Sequence, residues 1–242
     1  MSESAPSATP VSKTHWYHRH GDIEIRSLGG TILRADSWRL AAASKVFADM
    51  MEVTSENTAE VTTPTKRKSI NMIEPIEIDQ SSKIISYLLD LVNQANPTTP
   101  PSGYDETTAL YDLCDKFVVV DRIRSRVSLR IEQVGSHRQW NLLVFAGARN
   151  DVPLARTALS MMNEQTFSAE TSDEPQGAVL YNMNFRQRMA ILPESWQLEL
   201  YRKAFETPSS LNDHSSYSYS SSYGMKVRPD WKALAIAFQP AN

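Results

Sequence analysis

Cysteine is almost absent from the sequence, since Cys114 is the only one in 242 residues. One cysteine allows neither an intramolecular disulfide nor a zinc site built from several thiolates, which is typical of proteins from reducing compartments. No stretch approaches the ~20 consecutive apolar residues that a membrane-spanning helix needs. Residues 1–13 also lack the apolar core of a signal peptide. We therefore expect a cytoplasmic or nuclear protein with no membrane partner.

The sequence also lacks the motifs of known catalytic centres. The glycines at 21, 29 and 30 match neither a phosphate-binding loop nor a dinucleotide fingerprint, and no Gly-x-Ser-x-Gly segment occurs. Three of the five histidines crowd into residues 15–20, without carboxylates at the spacing of a metal site. Cys114 falls on an apolar helix face, as an inert core thiol does. We therefore expect no enzymatic activity, no metal and no cofactor.

An excess of positive charge is missing as well. The 25 Lys and Arg residues against 28 Asp and Glu residues give a net charge of −3. Binding to a phosphate backbone requires a basic field, so we expect no nucleic-acid partner. Hydrophobic residues make up 41% of the chain, which is enough for a substantial core.

A predicted β-hairpin followed by a helix organises the first part of the chain. Ile23 and Ile25 alternate with polar residues, and a second alternating run covers Thr31–Ala35. Leu28-Gly29-Gly30 between them suits a tight turn. Asp36-Ser37 then provides helix-capping residues. Apolar residues recur afterwards at steps of three and four, which predicts one continuous helix: Leu40, Ala43, Val46, Phe47, Met50 and Met51.

The rest of the chain reads as a second strand region and several helices. Residues 53–75 predict a loop, and Pro75–Ile78 predicts a short strand. Helices are predicted from Asp79, from Asp105 and over Ile123–Val134. Three further helices are predicted in the C-terminal half, at Trp140–Ala146, Pro153–Leu159 and Pro193–Phe205. A Ser/Tyr tract, Ser209–Tyr223, predicts a flexible linker. The apolar segment Trp231–Phe238 predicts docking against the body, with an exposed apolar end as the alternative.

Three of these segments resemble the BTB (POZ) domain. Ile32–Ala35, Leu40–Phe47 and Leu113–Phe117 are similar to the family's segments in the hairpin, the early helix and the fourth helix. The pair Trp16-Tyr17 ahead of the hairpin, which we expect to pack on it, makes the sequence most similar to the fungal members of the family. The resemblance implies an α+β fold, in which a short three-stranded sheet packed with helices is followed by an all-α extension.

The resemblance also implies a division of the chain. It places a BTB domain at 14–136 and a helical extension at 137–206. The composition of residues 1–13, rich in Ser, Pro, Thr and Ala, predicts a disordered N-terminus ahead of them. Residues 207–242 then form the Ser/Tyr-rich linker and the apolar C-terminal segment.

The function implied by the resemblance is protein–protein interaction without catalysis. Family members self-associate through the early helix, where Ala41, Ala42 and Ala43 would permit close approach in a homodimer. One branch recruits corepressors through a charged pocket, whose positions match Asp22 and Ser37. Because Ser37 is neutral and cannot offset Asp22, this function is the least favoured.

A second branch of the family provides substrate adaptors for cullin-type ubiquitin ligases. In that branch a hydrophobic-x-Glu motif follows the second helix and inserts into the cullin. Met50-Met51-Glu52 stands at the matching place, with Met50 expected to fill a pocket and Glu52 to make a polar contact beside it. A cullin is therefore the alternative partner to a second copy of the chain.

Overall fold

The computed structural model describes residues 13–56, 75–94, 103–163, 166, 185–206 and 230–240, and the structural statements below concern these residues. In them the chain is a mixed α+β protein with four short strands and ten helices, which confirms the predicted fold class at this level. The predictions for residues 1–12, for the part of the loop at 57–74 and for the Ser/Tyr tract lie outside the described residues. The loop prediction is wrong for Val53–Glu56, which are helical, and the prediction of disorder is wrong for Lys13, which lies in a short strand.

The sheet is built on the predicted hairpin. β2 (Ile23–Ser27) pairs antiparallel with β3 (Thr31–Ala35), and Gly30 takes a positive φ of 72° in the turn between them. β4 (Ile76–Ile78) lies parallel to β2, and β1 (Lys13–Thr14) lies parallel to β3. The order across the described sheet is β1-β3-β2-β4. The sequence predicts only three strands, because the two residues of β1 are too few to show any alternation.

Helices cover this sheet and complete its core. α3 (Ser82–Asn93) packs against β2 and β3, and α4 (Tyr104–Lys116) packs against α3. Ser81 caps α3 by accepting a hydrogen bond from the Ile84 amide. The inward residues of the hairpin and of α3 contribute nine members of the buried cluster: Ile23, Ile25, Leu33, Ala35, Ile84, Ile85, Leu88, Leu89 and Leu91. α5 (Asp121–Gly135) follows α4.

The helix after the hairpin is broken, so the prediction of one continuous helix is wrong. α1 spans Ser37–Ala43 and α2 spans Lys45–Glu56, with Ser44 in an extended conformation between them. The Ser44 hydroxyl accepts a hydrogen bond from the Phe47 amide at 3.2 Å, which caps α2. It also donates to the Phe117 carbonyl. The capping contact requires Ser44 to leave the helical conformation.

A short segment after α4 stabilises the extended conformation at Ser44 through tertiary contacts. Ser44 forms a β-bridge with Val119, and the Val120 amide donates to the Ala43 carbonyl at 2.9 Å. The Phe47 ring stacks on the Phe117 ring with 4.6 Å between their centroids. The tertiary contacts therefore override the helical period of the sequence.

The chain folds as two compact units, Met1–Arg130 and Ile131–Asn242. The second unit is helical in its described part. It contains α6 (Gln139–Ala148), α7 (Val152–Ser160), α8 (Phe185–Met189), α9 (Glu194–Glu206) and α10 (Trp231–Ala237). The Asp151 carboxylate caps α7, and Pro153 lies in the first turn of that helix as predicted.

Candidate partner-binding surfaces

The three alanines of α1 do not share one environment. Ala43 is buried in the core, Ala41 is half-buried and Ala42 is exposed. Leu40 is buried beside Ala43, so the inward face of α1 is fixed and Ala42 points to solvent. Only Ala42 therefore offers a small side chain for close approach by a partner.

Exposed apolar side chains that the sequence alone does not indicate lie on α1 and beside its end. Trp38, one helical turn earlier, has 66% of its surface exposed. Val118 and Val120 are 55% and 37% exposed. The main-chain hydrogen bonds from Lys45 to Val118 and from Val120 to Ala43 hold these valines beside the end of α1. We call Trp38, Ala42, Val118 and Val120 the α1 surface.

Polar contacts hold the helix that presents Trp38. The Arg39 guanidinium lies 4.9 Å from the centroid of the Trp38 ring. Arg39 also donates to the Asn93 carbonyl at 2.9 Å and forms an ion pair with Asp36. Arg39 therefore ties α1 to the end of α3 and places a cation beside the exposed indole.

Asp22 and Ser37, the positions of the charged pocket, are in direct contact. The Asp22 carboxylate accepts hydrogen bonds from the Ser37 amide at 2.7 Å and from the Ser37 hydroxyl at 2.6 Å. Asp36, at the N-cap position of α1, makes no side-chain cap. Asp22, the residue before β2, thus caps α1, which accounts for this carboxylate without a corepressor partner.

The same hydrogen bonds change the acidity of Asp22. Partial burial on its own raises the pKa of Asp22, but the hydrogen bonds from Ser37 and from its own amide outweigh burial and lower the pKa. A lowered native pKa stabilises the fold at pH values above the ordinary aspartate value. That contribution is lost as the pH falls through the lowered pKa.

We expect Asp22→Ala to lower the free energy of unfolding by about 1 kcal/mol at pH 7, because α1 loses its cap. The difference from the unmodified protein should shrink as the pH falls below ~4 and the carboxyl becomes protonated. Urea unfolding at several pH values measures this. Asp79→Ala, at an exposed aspartate, is the matched control and should change little. A loss that is equal for both variants, or independent of pH, contradicts the capping role.

The Met50-Met51-Glu52 motif lies inside α2 rather than after it, because α2 continues to Glu56. Met51 packs against the core, whereas Met50 is 40% exposed and Glu52 is exposed. Residues two apart on a helix do not face the same way, so Met50 and Glu52 diverge. Val53, 60% exposed, is the apolar neighbour that shares the face of Met50.

Glu52 instead lies on the charged face of α2. Lys45 and Asp49 form an ion pair at 2.8 Å on that face. The hydrogen bond and charge of Asp49 raise the pKa of Lys45, and Glu52 contributes in the same direction. The acidic group of the motif is thus part of a solvated ion network, and the structure does not bring it beside Met50.

The histidine-rich lead segment is arranged differently from the prediction. Trp16 and Tyr17 are exposed, so the prediction that they pack on the hairpin is wrong. His18 is buried instead, with its Nε2 atom 3.1 Å from the Ser86 hydroxyl and 3.3 Å from an Asp90 oxygen. Burial lowers the pKa of His18 and raises the pKa of Asp90.

The contacts of His18 do not form a nucleophilic triad. Ser86 and Asp90 both approach Nε2, whereas a triad needs the serine and the carboxylate on opposite ring nitrogens. Within the described ranges, no group of three His, Cys, Asp or Glu side chains could hold a metal, and no helix is long and apolar enough to cross a membrane. Burial raises the pKa of Cys114 to about 12, which leaves the thiol protonated and unreactive.

No protein-family model matches the sequence, and no curated protein matches it. The BTB resemblance therefore stays a hypothesis that rests on the residues themselves and on the order of the elements.

Proposed function

We propose that this protein is a non-catalytic protein–protein interaction module of the BTB type, which forms a homodimer through the α1 surface. The observation that carries the proposal is the pair of exposed residues Trp38 and Ala42 on a well-anchored helix, with exposed Val118 and Val120 held beside the end of that helix. Several exposed apolar side chains in one region of the surface are typical of interaction sites. Tryptophan is also among the residues that most often anchor interfaces.

The order of the elements supports the BTB type. A hairpin leads into two short helices, and β4 then returns parallel to β2 before the next helices, as in that family. The shared Ser-x-x-Phe positions have a physical role here, since Ser44 caps α2 and Phe47 stacks on Phe117. The additional strand β1 pairs at the edge and leaves this arrangement unchanged.

The α1 surface suits a second copy of the same chain. A two-fold interface brings the same patch of both protomers together, so the patch must be self-complementary. The small Ala42 side chain lets two α1 helices approach closely, and each Trp38 can then cover apolar surface of the other copy. No reaction centre has to be assumed for this role.

Co-expression of two differently tagged copies tests the proposal. We expect each tag to recover the other, and we expect the mixed species to form again when purified samples are combined. The Trp38→Ala variant should be recovered at least about tenfold less efficiently, since interface tryptophans typically contribute ~2 kcal/mol or more. Absence of the second tag in every preparation of the unmodified protein contradicts self-association.

A cullin-adaptor role is the second candidate. The observation that favours it is the accessibility of Met50, Glu52 and Val53 along α2. Since Met50 and Glu52 diverge, a cullin would have to contact two sides of α2: an apolar side at Met50 and Val53, and a charged side at Glu52.

We expect Glu52→Ala to weaken binding to a purified cullin N-terminal domain from the same organism at least about tenfold. The melting curve should stay unchanged, because an exposed substitution typically alters stability by no more than about 0.5 kcal/mol. Asp49→Ala on the same charged face is the matched control. Failure of the unmodified protein to bind at tens of micromolar removes this candidate, and equal binding by both variants discards the motif.

A further inference from the structure

The C-terminal segment, residues 230–240, docks on the second unit in a specific manner. Asp230 caps α10 by accepting hydrogen bonds from the amides of Lys232 and Ala233. α10 packs against α7 and α9. α10 has only seven residues, and an isolated helix of that length is unstable in water. α10 therefore depends on the surface on which it packs.

Two apolar side chains anchor the segment. Leu234 and Phe238, four residues apart, are both almost completely buried. The Phe238 ring meets the Trp196 ring edge-on, with 5.2 Å between the centroids. Trp196 is itself held by a hydrogen bond from its indole nitrogen to the Asn150 side chain at 3.2 Å. The pocket for Phe238 is therefore built by residues outside the segment.

Side chains of α7 and α9 bind the main chain that follows α10. Arg156 donates to the Phe238 carbonyl at 3.0 Å, and Glu199 accepts from the Gln239 amide at 3.2 Å. Glu199 is buried and is oriented by two hydrogen bonds from Arg202, at 2.8 and 2.9 Å. Pockets for alternate anchors, combined with polar contacts to the main chain, are how proteins bind short peptides in a groove.

We propose that α7 and α9 form a peptide-binding groove for a Leu-x-x-x-Phe segment, and that the C-terminal segment is an exchangeable occupant. The groove of one copy then also accepts the segment of a second copy. Residues 207–229 tether the segment to α9, and tethers of about this length give an effective concentration in the millimolar range. The proposal is independent of self-association through the α1 surface.

The test uses the full chain with a protease recognition sequence in place of residues 213–219. After cleavage the segment stays in the sample but is no longer tethered. We expect a labelled peptide of residues 230–242 to displace the cut segment. This peptide should bind the cleaved protein at least about tenfold more tightly than it binds the uncleaved protein. The same peptide with Phe238→Ala should bind at least about tenfold more weakly.

A second variant covers the case in which the cleavable chain does not fold. In the full-length Phe238→Ala variant the chain's own segment binds the groove more weakly, while the tether is unaltered. This variant should therefore bind the labelled peptide at least about tenfold more tightly than the unmodified protein does. Circular dichroism should show that the other helices persist. Equal peptide binding by the variant and the unmodified protein, or loss of the helical signal when the segment leaves, makes the segment an integral part of the core and overturns the proposal.

Discussion

The proposed dimer through the α1 surface predicts that replacing Ala42 by glutamate gives a monomer without unfolding the protein. Ala42 is exposed on α1, and glutamate is a good helix former, so the fold should lose no more than about 0.5 kcal/mol. In a two-fold dimer the substitution brings two like charges together beside Trp38. Such a juxtaposition costs several kcal/mol, which corresponds to a dimer at least about 100-fold weaker. Sedimentation velocity over a range of concentrations measures the change.

Ala148→Glu is the matched control for this experiment. Ala148 is also an exposed alanine near the end of its helix, α6, and it lies outside the α1 surface. This variant should sediment like the unmodified protein. A dimer that survives Ala42→Glu places the interface elsewhere. Dissociation of both variants makes the effect one of net charge rather than of the α1 surface.

Gly21→Ala should produce the largest loss of stability among the substitutions considered. Gly21 has a φ of +136°, and a Cβ atom at this position would stand 2.3 Å from the main chain of Ala35. Neither the strained backbone nor the clash with another main chain can relax by moving a flexible side chain. We expect the free energy of unfolding to fall by about 3 kcal/mol or more in urea titrations.

Gly29→Ala provides the comparison for this prediction. A Cβ atom at Gly29 would have nothing within 4 Å, and its φ is not positive. The substitution should therefore change stability by about 1 kcal/mol at most, in either direction. Similar losses from both substitutions contradict the close approach of Gly21 to β3. A stable Gly21→Ala protein contradicts it too.

The parts of the fold that depend on local pattern could be predicted from the sequence. The alternation of apolar residues gives β2, β3 and β4, and the spacing in α3 gives its buried face. The break at Ser44 could not be predicted, because the apolar residues before and after this serine stay at helical spacing. It follows from the pairing of Ser44 with Val119, far along the chain.

The candidate site was only partly predictable for a similar reason. The run Ala41–Ala43 indicates a small-residue helix, but only burial separates exposed Ala42 from buried Ala43. The apolar Leu40, three residues before Ala43 and so on the same helix face, is the sequence signal that could have made this distinction. Val118 and Val120 join the α1 surface through hydrogen bonds distant in sequence, and no local pattern indicates them.

Light scattering of the unmodified protein from low to high micromolar concentration tests the central claim most directly. Self-association through the α1 surface predicts a mass twice that of one chain, approached more closely as the concentration rises. Trp38→Ala should shift this transition to higher concentration, because it removes the largest exposed side chain of the surface. A mass equal to one chain at every concentration would contradict the account.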